Sequence, residues 1–463
     1  IRGCTFEGNG FTGMVNDDDG APQVLGCTFE SNGSLDSRGG GLSSRGDPTL
    51  KDCVFSRNRA DVGGGIYFGG GAPVLIKCAF VENDAFSGDL MRSGGACWVG
   101  AGVTPRFLDR VFRGNAARSF GGAIYHSKTP SATYANCLFT ANSAIDGGAV
   151  YELLGSVEFI NCAIAWNSAS LTGGGIFDER GDALTLANCV LRMNKDRTGF
   201  TESAQVDSFY YDEPILPVIN YTDIQGWTGS WGGVGNLEVD PRFADADGLD
   251  DVPGTADNDS RLLPDSPCID AGDNETVPDE VTMDLEWDPR FVGVPNIPDT
   301  GNGFSPIVEL GAFEHPGSGP RIVHLDVMPG RCPHRFRPRR GGFRSGWIAL
   351  VGTDTFDVRM IDGKSVRLGR SDDVGGELRP LGRHYWREWC FRDVATPFDG
   401  VPCDCHARRR DGVEDMVLRF RAVRLTAESG LEDVEPGSLI PFTVTGLLRD
   451  GSGFIASDCV MIR

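Results

Sequence analysis

The stretch CVFSRNRADVGGGIY, residues 53–67, decides the reading of this chain because it returns. CLFTANSAIDGGAVY occupies residues 137–151, and CAIAWNSASLTGGGIF, one residue longer, occupies 162–177. The unit is Cys-x-Phe-x-x-Asn, a variable stretch, then Gly-Gly-x-Ile-Tyr. Its first half starts at Cys4, Cys27, Cys53, Cys78, Arg110, Cys137, Cys162 and Cys189, with spacings of 23, 26, 25, 32, 27, 25 and 27 residues. A period in the mid-twenties marks stacked units that cannot bury an apolar face alone. No unit holds a helix-length segment, so each is read as one coil of short strands, stacked in parallel with identical positions about 4.8 Å apart. Residues two apart in a strand share a face. Cys and Phe are therefore placed inward, with Cys as a small hydrophobe in an internal ladder. The Asn three after Phe falls at the strand end, where its side chain can bond backbone or the Asn one coil away. The glycines let the coil bend sharply. The expected fold class is all-β: a solenoid of eight or more coils stacked in parallel, followed by a β-sandwich domain.

With these motifs quoted, a resemblance can be named. Cys-x-Phe-x-x-Asn with Gly-Gly-x-Ile resembles the repeats of right-handed parallel β-helix surface proteins, and the GGAI/FxxN pair of chlamydial polymorphic outer-membrane proteins is similar. It covers about residues 1–230 and speaks to fold more than function. Residues 238–315 resemble the tail of secreted bacterial choice-of-anchor Q proteins: Asp240-Pro241-Arg242-Phe243, then Leu263 to Gly272 (LLPDSPCIDAG spans this segment), then Leu310-Gly311-Ala312-Phe313-Glu314. That family's Asp-Leu-Asp-Gly before Arg is here Asp284-Leu285-Glu286-Trp287, and its Asp before Gly-Ala is Leu310. Residues 1–237 are thus read as β-helix repeats and 238–314 as acidic last coils and a cap closing the open end. Residues 315–320, HPGSGP, are read as a linker. The remainder, 321–463, carries alternating apolar runs such as GWIALVG and PFTVTGLL, read as a β-sandwich. Its DVMPGRCPHRF and DVATPFDGVPCDCH stretches resemble a C-terminal module of secreted environmental proteins.

The net charge is −22 over 463 residues. Residues 321–463 hold 23 Lys+Arg and 20 Asp+Glu, which leaves 20 and 45, a balance of −25, in the first 320. Such an acidic surface argues against nucleic acid, whose phosphates need cations. It suits a soluble secreted or cell-surface protein that holds divalent cations. No stretch approaches a membrane span. The chain opens at Ile1 inside a motif, without initiator Met or signal peptide, and is read as a fragment or processed product, so its extracellular address is inferred.

Several positions are candidates for chemistry. Tyr67, Trp98, Tyr125, Tyr151 and Phe177 follow each Gly-Gly-x-Ile and stack coil on coil. On an outward face they would bind a glycan by stacking on sugar rings; the other reading is a lateral packing ladder. The next position holds His126, Glu152 and Asp178. Glu152 and Asp178 would be an acid/base pair in a polysaccharide-cleaving groove, or the three form a solvated edge column. Asp245, Asp247, Asp250, Asp251, Asp257 and Asp259 crowd one loop of 15 residues. Packed carboxylates of this kind attract Ca²⁺ as a structural ion, although the spacing is not that of an EF-hand and a solvated acidic loop is the alternative. The ladder thiols are expected to be mostly reduced, because a flat parallel stack fits disulfide torsions poorly. Four cysteines of the resembled C-terminal module allow three pairings, of which Cys332–Cys459, joining the domain's ends, is adopted. Zinc ranks below it, since Cys-Asp-Cys lacks the usual two-residue spacer. The expected role is structural or adhesive, non-catalytic, with a glycan or surface component as partner; the alternative is a pectate-lyase-like polysaccharide lyase or glycoside hydrolase, an analogy from fold.

Overall fold

Each repeat folds into one turn of a right-handed parallel β-solenoid, and the register is that of the motif. The computed structural model describes the chain apart from residues 18, 35, 87–92, 181–182, 211–214, 247, 249–254, 256–257, 295–296, 316–320, 328, 330–334, 337–344, 354–355, 373, 381–388, 398–410, 433, 450–452 and 463. It comprises two compact units, Ile1–Gly317 and Ser318–Arg463.

In the first unit the Cys-x-Phe strands stack in one line: Thr5–Glu7, Thr28–Glu30, Val54–Ser56 and Ala79–Val81 lead into the second halves of Arg106–Arg113 and Ala132–Thr140. The line continues through Ala163–Ala165, Val190–Arg192 and Asp223–Ile224. Phe6, Phe29, Phe55, Phe80, Phe112 and Phe139 are consecutive partners. Their rings stack with centroids 4.6–5.1 Å apart. The Gly-Gly-x-Ile strands form a second sheet of eight rungs, from Met14–Asn16 to Val206–Phe209, which enclose seven turns.

Three bends shape each coil. One falls just before the Cys, at Asp52, Lys77, Asp109, Asn136, Asn161 and Asn188, and another just before the ladder Asn, at Ser31, Arg57, Glu82, Ala141, Trp166 and Met193; all have positive φ. The third is the first Gly of the pair. At Gly63, φ is +63° and a Cβ would sit 2.2 Å from the Ile66 carbonyl oxygen, so only Gly fits. The glycines that would weaken an ordinary strand are thus corner pieces.

The Asn three after each Phe performs both predicted roles at once. The Nδ2 of Asn83 donates to Asn115 Oδ1 at 3.0 Å and to the Phe55 carbonyl at 2.8 Å, while its backbone N–H also donates to Asn115 Oδ1. The pattern repeats from Asn32 through Asn167. It ends where Asn194 donates to Gln205 Oε1, and Gln205, in the short helix Glu202–Gln205, returns its Nε2 to the Asn194 carbonyl. A buried amide left without partners costs about 1–3 kcal/mol, so the ladder holds the coils in register.

The acidic segment differs from the expected cap. Trp227 and Trp231, before it, pack against the last coil's core. Beyond them the chain turns back as a strap along the outer face of the Cys-x-Phe sheet. Leu285, Ala312 and Phe313 pack on Val111, Leu138 and Ala163; Val281 packs on Leu108, Ala135 and Ile160; Leu262, Cys268, Ile269, Ala271 and Leu310 pack on Val190. The bend asparagines beneath meet its backbone: Asn136 Nδ2 donates to Met283 O at 3.0 Å, Asn161 Nδ2 to Glu309 O at 3.2 Å and Asn188 Nδ2 to Asp273 O at 2.9 Å. The physical reason is burial: alternation turns Val111, Leu138 and Ala163 outward, and that apolar strip needs cover.

The second unit has two mainly antiparallel sheets. Asp415–Arg421 is flanked by Ser345–Leu350 and Trp389–Arg392 in one; Leu439–Leu447 and Gly453–Ile462 dominate the other. Leu350, Leu418 and Phe420 share one buried cluster with Leu368, Val444 and Phe454 of the opposite sheet, the layering of a β-sandwich.

Replacing Asn115 by Ala orphans Asn83 donors and the Phe80 carbonyl. Chemical denaturation should show a loss of about 1–3 kcal/mol, and a smaller loss for Asn9→Ala at the exposed first rung; equal losses would contradict the ladder's role.

Candidate functional site

The aromatic column lies on the outer side of its sheet, between inward residues such as Ile66 and Phe68. Ring centroids are 4.7 Å apart for Tyr67–Trp98, 6.2 Å for Trp98–Tyr125, 5.5 Å for Tyr125–Tyr151 and 5.3 Å for Tyr151–Phe177. Tyr125 and Tyr151 are buried, with Phe120 laid 4.6 Å from Tyr151. Tyr151 donates its hydroxyl to Glu179. Most ring faces are spent on one another, which is the geometry of lateral packing. Tyr67 and Trp98 keep more exposure, and the Arg38 guanidinium sits 5.7 Å from the Tyr67 centroid.

The ionisable column is neither a groove nor a solvated edge. Its strands, Ile124–Ser127, Val150–Leu153 and Ile176–Glu179, run past the aromatic, so alternation returns His126, Glu152 and Asp178 to the interior, where all three are buried. They are consecutive partners in register. His126 bridges Thr129 Oγ1 at 3.2 Å and Tyr134 Oη at 2.8 Å; Asp178 Oδ2 accepts from Tyr210 at 2.7 Å. Burial holds His126 down to about 3, so it is neutral, and pushes the Tyr134 phenol up. Sequence held the signal: the same position in the two preceding coils is Phe68 and Val99, both core residues.

Of the acidic loop, Asp245 and Asp259 are described; Asp247, Asp250, Asp251 and Asp257 lie outside the described residues. Asp245 and Asp259 face each other across the antiparallel pair Phe243–Asp245 and Asp259–Leu262. Asp245 Oδ1 accepts from the Gly248 N–H at 2.9 Å, and Asp259 is gripped by Arg261, whose Nε lies 2.9 Å from both carboxylate oxygens. Arg261, two residues beyond the loop, supplies a positive charge that a count of the loop's carboxylates leaves out. Among the described residues no three carboxylate, His or Cys groups converge as metal ligands.

The ladder thiols, from Cys4 to Cys189, are free. Cys53, Cys137, Cys162 and Cys189 donate to carbonyls of the neighbouring coil, as Cys53 Sγ does to Val24 O at 3.3 Å, while Cys4, Cys27 and Cys78 donate to the carbonyl two residues back. Arg110 replaces one ladder Cys and is fully buried, with Nη1 on the Asp109 carbonyl at 3.0 Å. Cys459 is disulfide-bonded, whereas Cys332 lies outside the described residues.

A second ionisable cluster, unforeseen as such, sits under the strap. Arg290 is fully buried: its Nη2 donates to Gly311 O at 2.6 Å, and its Nε is 3.7 Å from Glu314 Oε2. Asp284 accepts from the backbone N–H groups of Glu286 (2.7 Å), Asp288 (3.0 Å) and Glu314 (2.8 Å). Glu309 is buried beside them. The cluster's Asp284 and Glu314 lie in the stretches Asp284 to Trp287 and Leu310 to Glu314, whose acidic side chains are buried.

Stacked strands, inward Phe and Asn columns and seven right-handed turns define the class: a parallel β-helix. Residues 1–164 match the family model described as the right handed beta helix region. No curated protein and no solved structure matches the chain.

His126 is neutral when folded and protonates near its ordinary value of about 6.5 when unfolded. Its contribution is therefore lost as pH falls from about 6.5 towards 3, by up to about 1.4 kcal/mol per pH unit. Comparing wild type with His126→Gln by denaturation at several pH values should show this acid sensitivity only in the wild type.

Proposed function

We propose that the chain is a structural and adhesive rod, secreted or displayed at a cell surface, and non-catalytic. The observation that carries this reading is the burial of His126, Glu152 and Asp178, the repeat-linked groups best suited to acid/base work, inside the solenoid. A catalytic pair must reach substrate; these brace the interior. The coil-to-coil ladders give a stiff frame, and the acidic surface keeps it soluble and repels other anionic surfaces.

A glycan or surface component is the proposed partner. With the middle rings stacked shut, contact would centre on Tyr67, Trp98 and Arg38, the open end of the aromatic column, where a sugar could stack on ring and cation together. A structural Ca²⁺ at the acidic loop around Asp245 accompanies this reading: a hard cation would offset carboxylates that Arg261 only partly balances.

Incubation with a panel of neutral and acidic polysaccharides should yield no unsaturated products and no new reducing ends; turnover of any one defeats the non-catalytic assignment. In glycan-binding assays Tyr67→Ala/Trp98→Ala should lose roughly tenfold or more in affinity, the worth of one stacking contact, while Phe177→Ala changes little. For the ion, chelator should lower the melting temperature by a few degrees, the order expected for about 1 kcal/mol, with recovery on adding Ca²⁺.

A further inference from the structure

The cluster beneath the strap has an imbalance that its packing alone does not resolve. Asp284, Glu309 and Glu314 lie around Arg290, and all four side chains are buried, as are Glu286 and Asp288 in the same segment, which have partners of their own. Were all three carboxyls ionised, two net negative charges would stand in a low-dielectric interior, at a cost of several kcal/mol per ion. The described carboxyls do not converge as metal ligands would. Other charges do not cure the deficit. On the solenoid side Asp109 faces Asp284 and is itself offset by Arg110, Lys77 and Arg290; on the strap side Asp270 adds a further negative charge near Glu309. Two protons complete the site.

We propose that the strap is locked by protons: Glu309 and Glu314 hold it against the solenoid while they stay protonated, and it loosens as the medium turns alkaline. The assignment follows the hydrogen bonds. Asp284 accepts three backbone N–H bonds and is the first of the three to ionise beside Arg290. The Arg290 contact with Glu314 is 3.7 Å, too long for a hydrogen bond, so the protons fall to the two glutamates. Burial raises both far above the ordinary carboxyl range and raises Asp284 to about 7. The sign is fixed by linkage. From the ordinary carboxyl range, near 4, up to the raised values of the docked glutamates, the docked strap binds more protons than the released strap, so docking weakens as pH rises through that range. The interface rests on the same residues: the Glu309 carbonyl takes Asn161, the Glu314 N–H holds Asp284, and Ala312 and Phe313 between them cover Val111, Leu138 and Ala163. Ionising the glutamates thus pries at the contact that hides this apolar strip.

Hydrogen exchange on the full chain, corrected for intrinsic rates, tests this. Between about pH 5.5 and pH 9 the amides of 281–314 should lose at least roughly tenfold in protection, while the Phe-column strands 28–30 and 54–56 do not change. Glu309→Gln/Glu314→Gln keeps shape and removes both charges, so its strap should keep only the smaller step that Asp284, raised to about 7, sets. Equal strap protection at both pH values in the wild type, or an unchanged step in the double variant, overturns the proposal. Should the variant fail to fold, infrared spectra of the wild type at neutral pH decide: a protonated carboxyl band that disappears as the strap loses protection supports the lock, and its absence refutes it.

Discussion

One hydrogen-bond ladder governs the first unit. Each Asn donates twice to the next and once to the carbonyl of the Phe in the coil before, so neighbouring coils can meet in a single register. That register seats Phe on Phe, Cys beside Cys, and Gly against the carbonyls of the next coil, where any side chain would collide. A slip of one residue would send every inward side chain outward. Because each Asn donates forward, the ladder has direction, and it needs a different residue to end it. Gln205, one methylene longer and reaching from a short helix, accepts the last pair of donors and returns its own to the same coil.

The parts of the fold legible in sequence are those the period repeats: the coil, the Asn column, the glycine corners, the inward Cys and Phe, the outward aromatics. What was misread came from counting one residue short along a strand. His126, Glu152 and Asp178 look like edge residues because they are charged, yet Phe68 and Val99 occupy their column in earlier coils. Position outranked chemistry, and the interior accepted polar side chains by giving them Tyr134, Thr129 and Tyr210 as partners.

The strap was hidden for a different reason. Periodicity describes how coils meet each other and is silent about what lies across them. The contact between Asn136 and Met283 joins residues far apart in the chain, and the acidic motif reads as surface because its burial depends wholly on that long-range docking. One local trace existed. The residue before the ladder Cys is Gly, Asp or Lys in the early coils and Asn at 136, 161 and 188. Asn tolerates the left-handed bend and adds an amide that can hold a crossing backbone. The change of residue marks the bends that hold the crossing backbone by a side-chain amide.

That change divides the rod into two parts that tolerate variation unequally. The earliest coils stack on coils like themselves, so one could be duplicated or lost there and the new junction would match the old. Further along, three asparagines must sit at fixed intervals to match one stretch of backbone, and adding or removing a turn would leave that stretch too short or too long. The strap therefore works as a ruler: the length of the solenoid is free to evolve from its beginning and is measured at its end.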